Sequence, residues 1–162
     1  MKQYNLQVMK KMFLSLAMIT ASMVCFAQNE AFKSFTKHFS DTAAFAYANI
    51  GNRQVLLVSH ETFGNNIDTN LEAVETSIFA LDEKGKIVSL GSIRSQGTLY
   101  PVSMLDNKLM VAGHHFVKIY NIRGDVPELV LDSYEEGDYD NPKLKAMFEK
   151  FEKGNAVMFE KN

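Results

Sequence analysis

The sequence predicts a mainly β protein of the α+β class, with about eight short antiparallel strands in a meander between a short N-terminal and a short C-terminal helix. Three observations predict this class. Short apolar stretches recur between turn signals about every 8–12 residues. Strand and helix patterns do not alternate as they would in a parallel nucleotide-binding sheet. Helical apolar spacing occurs only towards the two ends of the folded part. The pattern leaves open a curled sheet, a sandwich or a barrel-like arrangement.

The first 27 residues have the features of an export signal. Lys10 and Lys11 precede a charge-free run of 16 residues that ends at Ala27, which gives a positive region, an apolar region and a small residue at the cleavage point. The run is shorter than the roughly 20 apolar residues of a membrane-spanning helix. We therefore expect residues 1–27 to be a cleaved signal peptide. Residues 28–162 are then a single β-rich globular domain, exported to the periplasm or cell exterior in soluble form and without a membrane span.

Composition excludes several classes of protein. Without the signal segment, 14 Lys and Arg face 19 Asp and Glu, a net charge of −5 with no basic patch, so we expect no nucleic-acid binding. The only Cys of the sequence, Cys25, lies in the signal segment. A lipid-acceptor Cys follows a small residue, and Val24 stands there instead, so lipid anchoring is less favoured. The exported domain would have no Cys, hence no disulfide, thiolate nucleophile or Cys-based metal site.

Two helices are predicted at the ends of the domain. Asn29 is a possible N-cap, and Phe32, Phe35 and Phe39 follow at helical spacing, which predicts a short amphipathic helix with an aromatic stripe packed in the core. Near the C-terminus, Pro142 suits the first turn of a second helix. Its predicted inner face and closing residue are Leu144, Phe148, Phe151 and Gly154.

Strands are predicted between these helices, at residues 44–50, 54–60, 73–81, 86–94, 99–105, 108–112, 116–122 and 126–131. Gly51 begins a two-residue pair suited to a hairpin turn, and Asp106 and Asn107 tolerate the positive φ of another. Pro127 favours an edge position for the last of these strands. The polar segment Thr62–Glu72 is predicted to be the longest exposed loop, and residues 156–160 could add a last strand.

The strand region also carries a family resemblance, in residues 45–58, 77–91, 100–103 and 113–120. Over about residues 45–122 the chain resembles small exported bacterial β-meander proteins of unknown function. In many of those relatives the first turn is a run of Asp and Gly that resembles a calcium loop. The matching positions here, residues 49–52, contain no carboxylate. The resemblance therefore implies a β fold and export, and implies no cation at this turn.

His114 and His115 are the first candidates for chemistry. Adjacent strand residues point to opposite faces of a sheet, so this pair cannot share a metal ion unless a bulge at Gly113 re-aims one ring. His60 and Glu61 could complete a two-His, one-carboxylate set only if the fold brought them near. We therefore expect one buried and one surface His, with no metal site and no cofactor.

Two other patterns have simpler explanations than a functional site. Residues 135–141 offer enough acidic and amide oxygens for Ca²⁺ but lack the spacing of an EF-hand loop, and carboxylates just before a helix are stabilised by its dipole. Arg123-Gly124-Asp125 matches an adhesive tripeptide of the integrin-binding type, but Gly and Asp are also what a tight turn requires. Catalytic motifs such as Gly-x-Ser-x-Gly and His-Glu-x-x-His are absent from the sequence.

These observations favour an exported, non-enzymatic binding or interaction module whose partner is a protein or a cell-envelope component. The ligand-binding candidates are His114, His115, Tyr100 and His60, near the Thr62–Glu72 loop, because long loops carry function more often than turns do. Two alternatives remain open: a small secreted hydrolase that pairs a His with a carboxylate, and a structural subunit that adds a strand to its neighbours.

Overall fold

The computed structural model describes residues 30–64 and 68–162. The chain divides into two compact units, residues 1–37 and residues 38–162. In the first unit residues 30–36 are helical, with Phe32 buried and Phe35 half-buried. The predicted cap Asn29 and the predicted signal peptide lie outside the described residues.

The predicted aromatic stripe is wrong at Phe39. The helix ends at residue 36, where the hydroxyl of Thr36 donates to the carbonyl oxygen of Lys33 and so competes with the helical hydrogen-bond pattern. Phe39 belongs to the second unit. Its ring packs at a steep angle against Phe45 and Phe79, with centroids 5.8 and 5.9 Å away.

Two five-stranded antiparallel sheets form the body of the second unit. The first sheet has the strand order β12-β1-β2-β5-β6. Its strands are β1 (Ala44–Ile50), β2 (Arg53–Ser59), β5 (Glu75–Leu81), β6 (Ile87–Arg94) and β12 (Glu160–Lys161). The second sheet has the order β10-β9-β8-β7-β11. Its strands are β7 (Ser103–Leu105), β8 (Lys108–Gly113), β9 (Phe116–Arg123), β10 (Glu128–Glu136) and β11 (Asn155–Ala156). A small hairpin pairs β3 (Thr62–Phe63) with β4 (Glu72–Ala73).

The sheets pack face to face, and the C-terminal helix (Pro142–Lys153) covers the outer face of the second sheet. One buried cluster joins Leu57 of the first sheet to Leu109 and Val111 of the second. The alternate residues of β8, Met110 and Ala112, point the other way and pack under the helix. The predicted α+β, mainly β class is confirmed, and of the three arrangements left open the sandwich is the one observed.

Both predicted two-residue turns are confirmed. Gly51 has a φ of 60° between the paired residues Ile50 and Arg53, as a glycine-first hairpin turn requires. Asp106 and Asn107 have φ values of 50° and 57°, so both central residues of that turn are left-handed.

The predicted strand 99–105 is wrong in its first half. β7 begins only at Ser103, and residues 95–102 form an irregular connection. Gly97 has a φ of 87° there, and Pro101 has no N–H to donate to a ladder. This irregular connection carries Tyr100, one of the predicted site residues.

The last predicted strand, 126–131, is observed at later positions. Pro127 lies in the turn, and β10 runs from Glu128 to Glu136. The edge position that Pro127 indicated is confirmed, because β10 is an outer strand of its sheet.

The C-terminal segment links the two sheets. β11 pairs with β7 at the edge of the second sheet, and β12 pairs with β1 at the edge of the first. Between them, Phe159 exchanges two backbone hydrogen bonds with Leu71, of 2.7 and 3.0 Å. The loop predicted to be the longest exposed one is thus anchored at its base, since Leu71 is buried and bonded to this segment.

The C-terminal helix begins as predicted. Asn141 is its N-cap, accepting hydrogen bonds from the backbone N–H groups of Lys143 (2.9 Å) and Leu144 (3.4 Å), and Pro142 follows in the first turn. The inner face differs from the prediction. Met147 is buried there, whereas Phe148 is only half-buried, which leaves the Phe148 ring at the margin of the layer.

Candidate functional site

His114 and His115 form the two-residue turn between β8 and β9, in the gap between the predicted strands 108–112 and 116–122, so the alternation of adjacent strand residues does not apply to them. Gly113 pairs with Phe116 across this turn. A Cβ on Gly113 would lie within 2.5 Å of the Phe116 ring and of the Gln96 side chain, so only glycine fits there. Both His residues are exposed, and the expectation that one would be buried is wrong.

His114 lies at the centre of a small polar cluster. Its Nδ1 is 3.2 Å from the hydroxyl of Tyr139 and 3.4 Å from the hydroxyl of Tyr100. The rings of Tyr100 and His114 are 5.6 Å apart and nearly perpendicular. Three segments that are distant in sequence therefore meet here: the connection before β7, the β8–β9 turn and the loop before the helix.

His115 fixes the third of these segments. Its Nδ1 donates to the carbonyl oxygen of Gly137 (3.2 Å), and the N–H of Gly137 donates back to the carbonyl oxygen of His115 (3.0 Å). The ring of His115 is also 5.6 Å from that of Tyr139. These contacts hold the acidic loop against the turn and place Tyr139 beside Tyr100.

The structure does not bring His60 into this cluster. His60 follows β2, and its ring lies 6.3 Å from that of Phe39. Its sequence neighbour Glu61 accepts a 2.7 Å hydrogen bond from Arg94. The hypothetical metal set of His60, Glu61 and the His114–His115 pair is therefore not assembled. Within residues 30–64 and 68–162, no group of three or more His, Cys, Asp or Glu side chains is arranged to hold a metal ion.

A groove of about 430 Å³ opens beside the His114 cluster, along one flank of the C-terminal helix. Its lining combines aromatic and charged side chains: Tyr100, Tyr139, Leu144, Lys145, Phe148, Glu149 and Glu152. We call it the aromatic groove. The ring of Tyr100 lies 6.1 Å from that of Phe148 and 6.2 Å from that of Phe151. A ligand in this groove would contact three rings and a charged helix flank.

Sequence reasoning identified Tyr100 and His114 but missed the helix side of the groove. Phe148 was assigned to the buried face, and Tyr139 was treated as part of an acidic loop. The available signal was the helical spacing of Lys145, Glu149 and Glu152, which places these three side chains on one flank.

The surroundings of Tyr100 favour its neutral hydroxyl. Burial raises the pKa of the Tyr100 hydroxyl, and the neighbouring Tyr139 hydroxyl raises it further. Tyr100 therefore stays neutral at physiological pH. The formal charges of the groove belong to the helix, where Lys145 lies 3.8 Å from the carboxylate of Asp140.

The two other sequence patterns do not form sites of their own. Glu135 and Glu136 belong to β10, and the side chain of Asn141 caps the helix. The oxygen atoms of residues 135–141 are therefore distributed over a strand, a loop and a helix cap. In the adhesive-type tripeptide, Arg123 is bound by Asp132, and the backbone oxygens of Gly124 and Asp125 accept hydrogen bonds from Arg53. That turn is held against the first sheet.

Searches for similar proteins return nothing. No protein-family model matches the chain, and neither the curated proteins nor the solved structures contain a match. Among the described residues, no helix has the length and apolar character needed to cross a membrane.

Proposed function

We propose that this protein is an exported, non-enzymatic interaction module that binds a peptide segment of a partner protein in the aromatic groove. The observation that carries this proposal is the convergence of Tyr100, Tyr139 and Phe148, from three separate segments, on one surface groove. Aromatic side chains, Tyr above all, are enriched where proteins bind one another. Their partial exposure gives a ligand apolar area to cover.

The rim of the groove is suited to a polypeptide. Exposed Lys145, Glu149 and Glu152 lie beside the apolar surface of the half-buried Phe148 ring. An apolar centre with a charged rim is the usual composition of an interface patch. The contacts of His114 and His115 hold the loop wall in place before binding, which lowers the entropic cost of association.

The hydrolase alternative needs one of the histidines beside the groove to pair with a carboxylate. A general base of this kind is a His oriented by a carboxylate. In the described residues, the side chains of His114 and His115 make hydrogen-bond contacts with two Tyr hydroxyls and a carbonyl oxygen. The groove therefore supports binding better than acid–base chemistry.

The strand-adding alternative is disfavoured by the outer strands. In β6, Leu90 is an extra residue between two ladder pairs, and β10 has an irregularity at Asp132. A bulge on an edge strand interrupts the regular ladder that another chain would need. Asp132 at this irregularity pairs with Lys108 and Arg123, which lower the pKa of its carboxyl, so charged side chains lie at this edge.

Selection from a random peptide library displayed on phage tests the proposal directly. We expect the purified protein to enrich a recurrent peptide motif. Synthetic peptides of that motif should bind the wild-type protein, and Tyr139→Ala should weaken binding about tenfold, because loss of an aromatic contact at an interface costs on the order of 1–2 kcal/mol. Tyr139 is 55% exposed, so the substitution removes little packing.

Tyr134→Ala is the matched control. Tyr134 is 44% exposed and lies on β10, outside the aromatic groove. The Tyr134→Ala substitution should leave peptide affinity unchanged. Failure to enrich any motif, or equal losses in the two variants, would contradict the proposal.

A further inference from the structure

The two flanks of the C-terminal helix carry opposite charge. The flank in the aromatic groove contributes Lys145, Glu149 and Glu152. The other flank faces β10 across a second groove of about 420 Å³ that contains Lys143, Lys150 and Glu135. The aromatic groove therefore has one surplus negative charge and the second groove one surplus positive charge.

The negative charge of the aromatic groove is available to a ligand. Lys145 already has a partner in Asp140, 3.8 Å away. Glu149 and Glu152 make no ion pair with any described residue. An anionic ligand would meet two unpaired carboxylates, whereas a cationic ligand would neutralise them.

The aromatic walls favour the same sign of charge. The groove is lined by the rings of Tyr100, Tyr139 and Phe148, and the faces of such rings attract ammonium and guanidinium groups. The half-buried ring of Phe148 supplies apolar surface beside the carboxylates, which suits a charged group carried on an alkyl stem.

We propose that the aromatic groove binds a basic side chain, lysine in particular, presented by the peptide segment of the partner protein. This inference rests on the peptide-binding function proposed above. The alkyl stem packs along Phe148, and the ammonium group lies between the aromatic rings and the carboxylates of Glu149 and Glu152. Charge complementarity thus selects which peptide segments enter.

The test uses two small probes that differ only at the end of the side chain. Nα-acetyl-lysine methylamide carries the ammonium group, and Nα-acetyl-norleucine methylamide carries an apolar chain of similar length. We expect NMR titrations of the purified protein to shift the ring resonances of Tyr100 and Phe148. The lysine probe should bind with a Kd on the order of millimolar and about fivefold more tightly than the norleucine probe.

Matched variants identify the carboxylates. Glu149→Gln and Glu152→Gln should each weaken the lysine probe about two- to threefold, as expected for exposed charge pairs. The double variant should lose most of the preference for the lysine probe and keep only the part that the aromatic rings supply. Glu135→Gln, which removes a carboxylate from the second groove, should change neither affinity.

Three results would overturn the inference: equal or tighter binding of the norleucine probe, tighter binding of Nα-acetyl-glutamate methylamide, or no effect of the two Gln substitutions. Tighter binding of tetramethylammonium than of the lysine probe would also overturn it, by indicating a quaternary head group. In all four cases a motif enriched from the peptide library would leave the peptide-binding function standing. If the library enriches no motif and neither probe shifts the ring resonances, both proposals are contradicted.

Discussion

The second sheet has two faces that are packed in different ways. Within the described residues, 17 buried side chains form the cluster between the two sheets, and seven form the cluster between the second sheet and the C-terminal helix. The first cluster is closed by the C-terminal segment, which pairs with both sheets. The second ends at the aromatic groove, where Phe148 is half-buried and Tyr139 is exposed.

The difference separates the parts that stabilise the fold from the parts that can bind. Apolar area removed from water contributes about 25 cal/mol per Å², so the larger cluster contributes more to stability than the smaller one. The layer under the helix buries less and leaves aromatic surface open at its margin. Side chains there can be changed for recognition at little cost to the fold.

Phe159→Ala should produce the largest effect, because it removes a fully buried ring from the cluster between the sheets. We expect the free energy of unfolding to fall by about 3–5 kcal/mol, measured by urea denaturation. Met158→Ala is the control. Its side chain is 48% exposed, so the change should stay within about 0.5 kcal/mol. Similar losses of unfolding free energy in both variants would contradict the distinction between the buried cluster and exposed positions.

The elements of the inter-sheet cluster were largely predictable from the sequence. Continuous or alternating apolar runs and turn residues such as Gly51 and Asp106 are local signals. They predict the first seven strands of the two sheets, except for part of 99–105. The C-terminal segment was only partly predictable. Residues 155–161 are too short to show a period, and their pairing with two different sheets depends on the tertiary fold.

The candidate site was less predictable than the fold. Tyr100 and His114 were chosen because of their residue types, yet neither carries a local signal that it would meet Tyr139 or Phe148. That meeting depends on the turn closed at Gly113 and on the loop fixed by His115. His60 was chosen by the same reasoning, and the fold places it against Phe39. Residue type alone could not separate these outcomes.

Asn141→Ala should have a smaller effect, confined to the helix layer. It removes the side chain that accepts hydrogen bonds from the N–H groups of Lys143 and Leu144, and loss of such a cap costs about 1 kcal/mol. Native-state hydrogen exchange should show faster exchange of amides in the helix, with unchanged exchange in β2 and β5. The helix would then open as a local unit, separately from the sandwich.

Asn155→Ala is the control for this prediction. Asn155 is exposed and follows the helix in β11, so its side chain does not cap the helix. Equal acceleration in helix and sheets for Asn141→Ala would show that the two layers unfold together. The contrast between the faces of the second sheet would then hold for burial and not for local stability.

Tyr139→Phe should have the smallest effect on stability, about 0.5 kcal/mol or less, because the lost hydroxyl is exposed and water can replace its contacts. Its effect on Tyr100 is specific. Burial and the Tyr139 hydroxyl both raise the pKa of Tyr100 above its ordinary value of 10.0. The variant keeps the burial, so Tyr100 should titrate at a lower pH than in the wild type and still above 10.0, measured by the ¹³Cζ shift of its ring.

The sign of the accompanying stability change follows from linkage. When the pKa of a tyrosine is higher in the folded than in the unfolded chain, the unfolded chain releases the tyrosine proton at a lower pH. A pH above the ordinary tyrosine pKa therefore favours the unfolded chain. Wild-type stability should therefore fall more steeply above pH 10 than that of Tyr139→Phe, because the wild type has the larger pKa difference at Tyr100. An unchanged Tyr100 pKa in the variant would mean that the two hydroxyls do not interact in solution. The wall of the aromatic groove would then lack the contact between Tyr100 and Tyr139 that distinguishes this margin from the enclosed core.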